Sequence, residues 1–263
     1  MARPVIALLT DFGTRDHYVG AMRGVALGIC PDATLTDITH EIEPQDVLGG
    51  ALELAAAFPY FPDHTIFLSV VDPGVGSARR AIAAEVGGYR FVAPDNGLLT
   101  QVFRVAPPSK VVEIIEPRYA RSAVSRTFEG RDRFAPAAAW LATGLSVDAL
   151  GPPMASWHVL DIPAPVRHEE TLSGIVLRVD RFGNLATNID RPTFDSLVGG
   201  GSFEIVLAGH AMRDLVATYS ESVPDAICAL FDSSDRLEVA VSGGSAARRL
   251  GIGRGAPITV ARR

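Results

Sequence analysis

The feature that most constrains this chain is the alternation of two kinds of segment over roughly its first 150 residues. Short β-branched runs alternate with longer Ala/Leu-rich stretches, a pattern typical of βαβ units. We predict strands at Val5–Thr10, Thr34–Thr39, Thr65–Val71, Ala81–Val86, Arg90–Ala93 and Val111–Ile115. We predict helices at Tyr18–Ile29, Asp46–Phe58, Gly97–Phe103 and Arg131–Leu141. The first part is therefore expected to be an α/β domain around a central, mostly parallel sheet.

A different pattern follows the segment GPPMASWHVLDIPAPVRHEE, which has no clear period and is typical of a connection between domains. Beyond it, strand-like runs are separated by Gly, Asn, Asp and Ser. These runs are Ser173–Asp180, Ser202–Ala208, Ile227–Phe231, Leu237–Val241 and Ile258–Ala261. We expect a smaller all-β barrel domain, with the boundary near His168 and the two domains at residues 1–165 and 170–263.

Composition excludes several classes of function. The net charge of −6 provides no broad basic surface, so nucleic acid is not an expected partner. The N-terminal apolar run, Val5 to Leu9, is too short for a signal peptide or a membrane span. The two cysteines, Cys30 and Cys228, are far apart and lie in no metal-binding spacing, so no disulfide and no metal site are expected. These features favour a cytoplasmic protein without a membrane partner.

Acidic side chains follow predicted strands of the first domain, in ALLTDFG, SVVDPG and VAPDNG. Because ligands bind outside the carboxyl ends of strands in open α/β sheets, Asp11, Asp72 and Asp95 are site candidates by position. Asp and Asn also begin turns, which is the alternative explanation. In DPGVGSARR, Asp72 can pair with Arg79 if the loop folds back; the alternative is an ion pair on the surface.

Taken together, six segments resemble the S-adenosyl-L-methionine hydroxide adenosyltransferase family, which is related to enzymes that fluorinate or chlorinate the same substrate. The segments are TDFGTRDHYVGAMRG, ICPDATLTDITHEIEP, VVDPGVGSARRAI, APDNGLL, TFEGRDRFAPAAA and DRFGNLATNI, in this order. The resemblance covers essentially the whole chain. It implies hydrolysis of S-adenosyl-L-methionine by attack of water at ribose C5′, without a cofactor, in a homotrimer whose active sites lie between subunits.

The resemblance also implies roles for individual residues. Asp11 would accept hydrogen bonds from both ribose hydroxyls. Asp180 would bind the methionine ammonium and Ser233 its carboxylate. Asn184 would hydrogen-bond to the adenine edge and Tyr219 would stack on the ring, with backbone groups near Ser242, Gly243 and Ser245 completing the adenine site.

The reacting group in this family is a trio of Asp, Arg and His, of which Asp72 and Arg79 match the first two. Where the family usually has TFHGRD, this chain has TFEGRD, so Glu129 replaces the histidine. Two nearby carboxylates seldom both ionise, so one of them holds a proton or Arg79 bridges them. A third alternative is that Glu129 points away from the site.

Two other functions compete with hydrolysis. A halide-dependent synthase of 5′-halo-5′-deoxyadenosine is disfavoured by Asp72, because a carboxylate repels halide at the position where the halogenating relatives have tyrosine. A non-catalytic protein that binds S-adenosyl-L-methionine or adenosine is the second alternative, because fold and ligand do not establish catalysis.

Overall fold

The computed structural model describes residues 3–263, so residues 1 and 2 of the predicted first domain lie outside the described part. The chain divides into two compact units, the first ending at Leu160 and the second running from Asp161 to Arg263. The division lies inside the proline-containing connection. No helix in the described range has both the length and the apolar composition to cross a membrane.

The first unit alternates strands and helices. Its elements are β1 (Val5–Thr10), α1 (Tyr18–Ile29), β2 (Thr34–Thr39), α2 (Val47–Ala57), β3 (Ile66–Val70), β4 (Ala81–Val86), β5 (Tyr89–Pro94), α3 (Thr100–Val105), β6 (Lys110–Glu113) and α4 (Ala135–Ala142). A π-helical turn, Gly130–Phe134, leads directly into α4.

Within residues 3–160 the strands form one six-stranded sheet in the order β2-β1-β3-β5-β4-β6. The pairings of β1 with β2, β1 with β3 and β3 with β5 are parallel, whereas β4 pairs antiparallel with both β5 and β6. The α/β class is thus confirmed, but the sheet is mixed. The apolar strands of this sheet are buried on both faces. A continuous apolar run does not indicate whether a strand is parallel or antiparallel to its neighbours.

Two cores cover the two faces of this sheet. Along β1, Ile6 and Leu8 point into the core that contains α1 and α4, and Ala7 and Leu9 point into the core that contains α2 and α3. The strand order reverses beside β1, because β2 lies on one side of it and β3 on the other. The carboxyl ends of β1 and β3 therefore meet at a topological switch point, where open α/β sheets bind ligands.

The second unit is dominated by strands. Its elements are β7 (Val166–His168), β8 (Thr171–Val179), β9 (Leu185–Asp190), α5 (Arg191–Val198), β10 (Phe203–Leu207), β11 (His210–Met212), β12 (Ile227–Phe231), β13 (Arg236–Val241), α6 (Ala246–Leu250) and β14 (Pro257–Arg262). The short helices α5 and α6 correct the expectation of strands alone.

Residues 161–263 form one antiparallel sheet in the order β11-β10-β14-β8-β9-β13-β12, with β7 paired to β8. A bridge between Leu215 and Ala229 links the segment after β11 to β12, so the curled sheet is nearly closed and barrel-like. Its interior is filled by alternate residues of the strands together with Phe194 and Leu197 of α5 and Ala246 at the start of α6.

Candidate active site

Two carboxylates lie at the switch point of the first unit. Asp11 follows β1, and Asp72 comes two residues after the end of β3. Asp11 Oδ2 accepts a hydrogen bond of 2.8 Å from the backbone N–H of Gln45. Burial raises the pKa of Asp11, and the nearby negative charge of Asp72 raises it further. The two carboxylates are therefore close enough to influence each other.

The loop after Asp72 folds back on itself, so that Arg79 pairs with Asp72. The Arg79 Nε lies 2.9 Å from Asp72 Oδ1 and 3.0 Å from Oδ2, and its Nη2 also donates to Oδ2. The fold of the loop requires glycine at position 76, where φ is +76° and a Cβ would lie 2.3 Å from the Arg126 carbonyl oxygen. The side chains of Asp72 and Arg79 are only 5% and 10% exposed, so this is a buried pair and not a surface contact.

Glu129 faces the same guanidinium group. Its Oε2 accepts a hydrogen bond of 3.1 Å from Arg79 Nη1 and lies 3.2 Å from Arg133 Nε, one helical turn further along. The Glu129 side chain is 11% exposed. Of the alternatives left open by the sequence, the geometry matches an arginine bridge between the two carboxylates, and Glu129 does not point away.

The guanidinium group of Arg79 is the centre of this cluster. Burial opposes its charged form, but the hydrogen bonds and charges of Asp72 and Glu129 outweigh burial and raise the pKa of Arg79. Its Cζ lies 5.2 Å from the centre of the Phe134 ring, a further favourable contact for a cation. A fixed cation between two carboxylates holds both in place and leaves each with free lone pairs to accept a proton or a hydrogen bond.

The second unit contains a cavity of about 620 Å³. Its lining combines polar or charged side chains with apolar side chains and glycine, namely Asp180, Arg181, Phe182, Asn184, Tyr219, Val241, Gly243, Gly244 and Arg248. Four of the residues that the sequence singles out, Asp180, Asn184, Tyr219 and Gly243, are therefore brought together.

The turn between β8 and β9 forms one wall of this cavity. Asp180 Oδ1 accepts hydrogen bonds from the backbone N–H groups of Phe182 (2.9 Å) and Asn184 (2.8 Å), and its Oδ2 accepts one of 3.0 Å from Asn184 Nδ2. Gly183 has φ of +88°, and a Cβ there would lie 2.0 Å from Ser245 Oγ. These contacts fix the turn. Asp180 binds only the Nδ2 of the Asn184 side chain and not its Oδ1.

Tyr219 presents its ring to the same cavity, with 44% of the residue exposed. Its hydroxyl donates a hydrogen bond of 2.8 Å to Oε1 of Glu238 on β13. Burial raises the pKa of Tyr219, and the neighbouring Glu238 carboxylate adds to the effect. Burial also raises the pKa of Glu238, to about 6, although the hydrogen bond from Tyr219 opposes this shift.

The remaining predicted site residues lie near the cavity or apart from it. Ser242 precedes the lining residue Gly243, and Ser245 caps α6, with its Oγ accepting from the Arg248 backbone N–H at 3.2 Å. Ser233 lies in the exposed turn after β12, outside the cavity lining. Its predicted contact with a carboxylate stays a prediction.

Sequence reasoning missed several residues of these two sites. Arg133 pairs with Glu129, and the spacing of four residues in a helix was the available signal. Arg248 lines the cavity and follows the VSGGSA segment. Glu238 gave no signal, because a single acidic residue in an apolar strand is ordinarily exposed.

Comparisons with known proteins agree on one family. The model of the SAM hydroxide adenosyltransferase N-terminal domain matches residues 6–151, and that of the C-terminal domain matches residues 174–259. A curated (R)-S-adenosyl-L-methionine hydrolase from Thermus thermophilus is 39% identical, covering 97% of this chain and 98% of the relative. A fluorinase from Actinopolyspora mzabensis is 30% identical over 78% of this chain and 79% of its own length.

A solved structure shares the whole fold. The crystal structure of an uncharacterized conserved protein from Thermotoga maritima superposes with a TM-score of 0.92 at 36% identity, covering 98% of this chain and all of that one. The two family models together span most of both units. The chain therefore belongs to the SAM hydroxide adenosyltransferase family.

Proposed function

We propose that this protein hydrolyses S-adenosyl-L-methionine to adenosine and L-methionine. The observation that carries the proposal is the buried cluster in which Arg79 bridges Asp72 and Glu129, beside Asp11 at the switch point of the sheet. Family membership and the hydrolase names of its relatives support the same reaction. Because those names specify the R form, we include the R epimer at sulfur among the substrates.

The reaction needs alignment more than acid catalysis. The sulfonium is a cation whose departure yields a neutral thioether, so no proton has to be supplied to the leaving group. The site must hold one water molecule in line behind C5′ and must exclude the others. Asp11 would accept hydrogen bonds from the two ribose hydroxyls and so fix C5′ relative to Asp72.

Asp72 would orient the attacking water and accept its proton. The oxygen–C5′ bond forms as the C5′–sulfur bond breaks, and the electron pair of the broken bond stays on sulfur. The proton lost by the water passes to the Asp72 carboxylate and from there to solvent. General base catalysis of this kind contributes about 10² to 10⁴ to a rate.

Arg79 and Glu129 would keep Asp72 in the productive position. A single guanidinium that donates to both carboxylates fixes the distance between them and reduces their mutual repulsion, and Arg133 adds a second positive charge beside Glu129. In this arrangement Glu129 takes the place of the histidine that the family resemblance implies, because it accepts the hydrogen bond from Arg79 Nη1.

The cavity of the second unit, together with the exposed turn after β12, would bind the two ends of the substrate. We assign the methionine ammonium to Asp180 and its carboxylate to Ser233. The adenine edge is assigned to Asn184 and its ring face to Tyr219, with the Ser242–Ser245 segment completing the adenine site.

We also propose that the protein is a homotrimer with active sites between subunits and that it needs no cofactor. We propose a cytoplasmic location, because the two cysteines are buried and unpaired, as is usual in a reducing compartment.

A halide-dependent reaction is the competing function. The fluorinase relatives are less similar than the hydrolases, and the buried Asp72 carboxylate would repel a halide at the nucleophile position.

The test of hydrolysis is product analysis by liquid chromatography with mass detection. Each sulfur epimer is incubated with the protein in the presence and absence of chloride or fluoride. We expect adenosine and methionine under all salt conditions. A 5′-halo-5′-deoxyadenosine would overturn hydrolysis, and unchanged substrate with measurable binding would indicate a non-catalytic binding protein.

A further inference from the structure

The carboxylate of Glu238 is buried next to the cavity of the second unit without a place in the proposed reaction. Glu238 is 4% exposed. It lies on the outer face of β13, because its strand neighbours Leu237 and Val239 point into the core of the nearly closed sheet. Its cross-strand partners on β12 and β9, Leu230 and Ala186, supply no polar group. Burial of a carboxylate is costly unless the carboxylate is hydrogen-bonded or paired, so the partner of Glu238 indicates its role.

The hydrogen-bond partner of Glu238 is Tyr219. The Tyr219 hydroxyl donates to Glu238 at 2.8 Å, and the Tyr219 ring lines the cavity. Tyr219 belongs to a short 3-10 turn, Tyr219–Glu221, outside the regular strands of the sheet. A hydrogen bond to a buried carboxylate is therefore the contact that ties this ring to the rigid sheet.

We propose that Glu238 is a positioning residue, which fixes the Tyr219 ring at the wall of the cavity and so sets the affinity of the site for the adenine ring of the substrate. This inference rests on the proposed function in one respect, namely the assignment of adenine to Tyr219. Glu238 contacts no reacting atom in this arrangement, so its effect is on binding and not on the chemical step.

The charge of Glu238 makes this binding sensitive to pH. Burial raises the pKa of Glu238 to about 6. The groups that act on it from the surrounding elements are Tyr219, Asp180, Asp232, Arg178 and Cys228. Protonation turns a charge-assisted hydrogen bond into a neutral one of roughly half the strength, which loosens the ring. Affinity for the substrate should therefore fall as the pH drops through about 6.

The test compares wild-type protein with Glu238→Gln, Tyr219→Phe and the double variant. Glutamine keeps the size and an acceptor oxygen but does not titrate, and phenylalanine keeps the ring without the hydroxyl. We expect KM at neutral pH to rise about three- to tenfold in each single variant, with kcat within about twofold, which corresponds to about 0.6–1.4 kcal/mol, the size of one ordinary hydrogen bond. The double variant should lose no more than either single variant.

The pH profile is the readout that a merely structural role would not move. KM of the wild type should rise by a similar factor between about pH 7.5 and pH 5, and the Glu238→Gln profile should lack that step. Asp11 titrates in all four proteins, so the difference between profiles isolates Glu238. An unchanged KM and pH profile in Glu238→Gln, additive losses in the double variant, or a fall in kcat alone would each overturn the inference.

Calorimetric titration with adenosine separates this inference from the proposed function. If the wild-type protein binds adenosine but releases no adenosine from S-adenosyl-L-methionine, the hydrolysis is overturned and the role of Glu238 is still tested. In that titration we expect Glu238→Gln to bind adenosine more weakly than wild type and L-methionine equally well. Equal adenosine affinity would overturn the positioning role. Melting curves of all four proteins show whether each is folded.

Discussion

At the scale of single residues, the arrangement of charge around Arg79 explains how this chain accommodates two acidic side chains in one site. From sequence, Asp72 could pair with Arg79 if the loop folds back, but whether the pair is buried or lies on the surface was left open. The direction of Glu129 was not predictable, because it depends on the π-helical turn that follows it and on Arg133. Neither feature has a sequence signal strong enough to choose among the three alternatives.

Replacing Asp72 with alanine should affect the chemical step more than binding. Without the proposed general base, kcat should fall by about 10² to 10⁴, whereas KM should change by only a few-fold. Asp72→Asn is the matched control for side-chain size and should lose a similar factor in kcat. Steady-state kinetics measures both parameters. Comparable changes in kcat and KM would instead indicate a binding role.

Replacing Glu129 with alanine should cost stability as well as turnover. The variant leaves the buried Arg79 paired with Asp72 alone and removes the carboxylate next to Arg133, and the loss of a hydrogen bond between charged groups costs about 1.5–3 kcal/mol of the free energy of unfolding. Glu129→Gln keeps an acceptor oxygen for Arg79 and should lose less. Urea unfolding monitored by circular dichroism measures both variants. Equal stability of the alanine variant and the wild type would contradict the bridging geometry.

At the scale of elements, the second unit holds the features that the sequence concealed. The first five residues of strand β9 are buried although they include Thr187 and Asn188, whose side chains bond to the Leu237 carbonyl and the Ile175 N–H. Hydrogen-bonded polar residues of this kind can be buried, and they interrupt the apolar pattern by which a strand is recognised in a sequence. Helix α5 has two sequence signals, the N-cap residue Asp190 and Gly199 after its end. It was not predicted because it has only eight residues.

The turn at Gly183 gives a test of the cavity wall. Gly183→Ala places a Cβ at positive φ and 2.0 Å from Ser245 Oγ, whereas Gly209→Ala has the same backbone strain and nothing within 4 Å. Left-handed strain alone costs about 1–2 kcal/mol, so the control should lose that amount of stability. Gly183→Ala should lose clearly more and should also raise KM. Equal losses in urea unfolding would show that the close contact with Ser245 does not constrain the turn.

At the scale of the whole molecule, the sequence was sufficient for the order of elements in the first unit and for the family. The sequence did not reveal that β4 runs antiparallel to its neighbours, because AIAAEV is rich in alanine and buried, and such a strand can pair in either direction.

The buried carboxylate of Glu238 lowers the free energy of unfolding when it is ionised. A folded-state pKa of about 6 against an ordinary 4.5 corresponds to about 2 kcal/mol that disfavours the ionised folded state.

This cost predicts a stability that depends on pH. Since the folded-state pKa of Glu238 is the higher one, its favourable contribution is complete below about pH 4.5 and is lost as the pH rises through about 6. Glu238→Gln should therefore be more stable than wild type by up to about 2 kcal/mol near pH 8, and the difference should shrink toward pH 4.5. Urea unfolding across this range measures it. A variant that is less stable than wild type at high pH would contradict the account.

The most direct test of the central claim is the fate of the oxygen atom of water. Purified protein is incubated with S-adenosyl-L-methionine in oxygen-18 water, and the adenosine formed is analysed by mass spectrometry with fragmentation of the ribose. We expect one heavy oxygen at the 5′ position, with methionine unlabelled, and loss of this product in Asp72→Ala. Adenosine without label, or label retained at an undiminished rate in Asp72→Ala, would contradict attack by a water molecule held at Asp72.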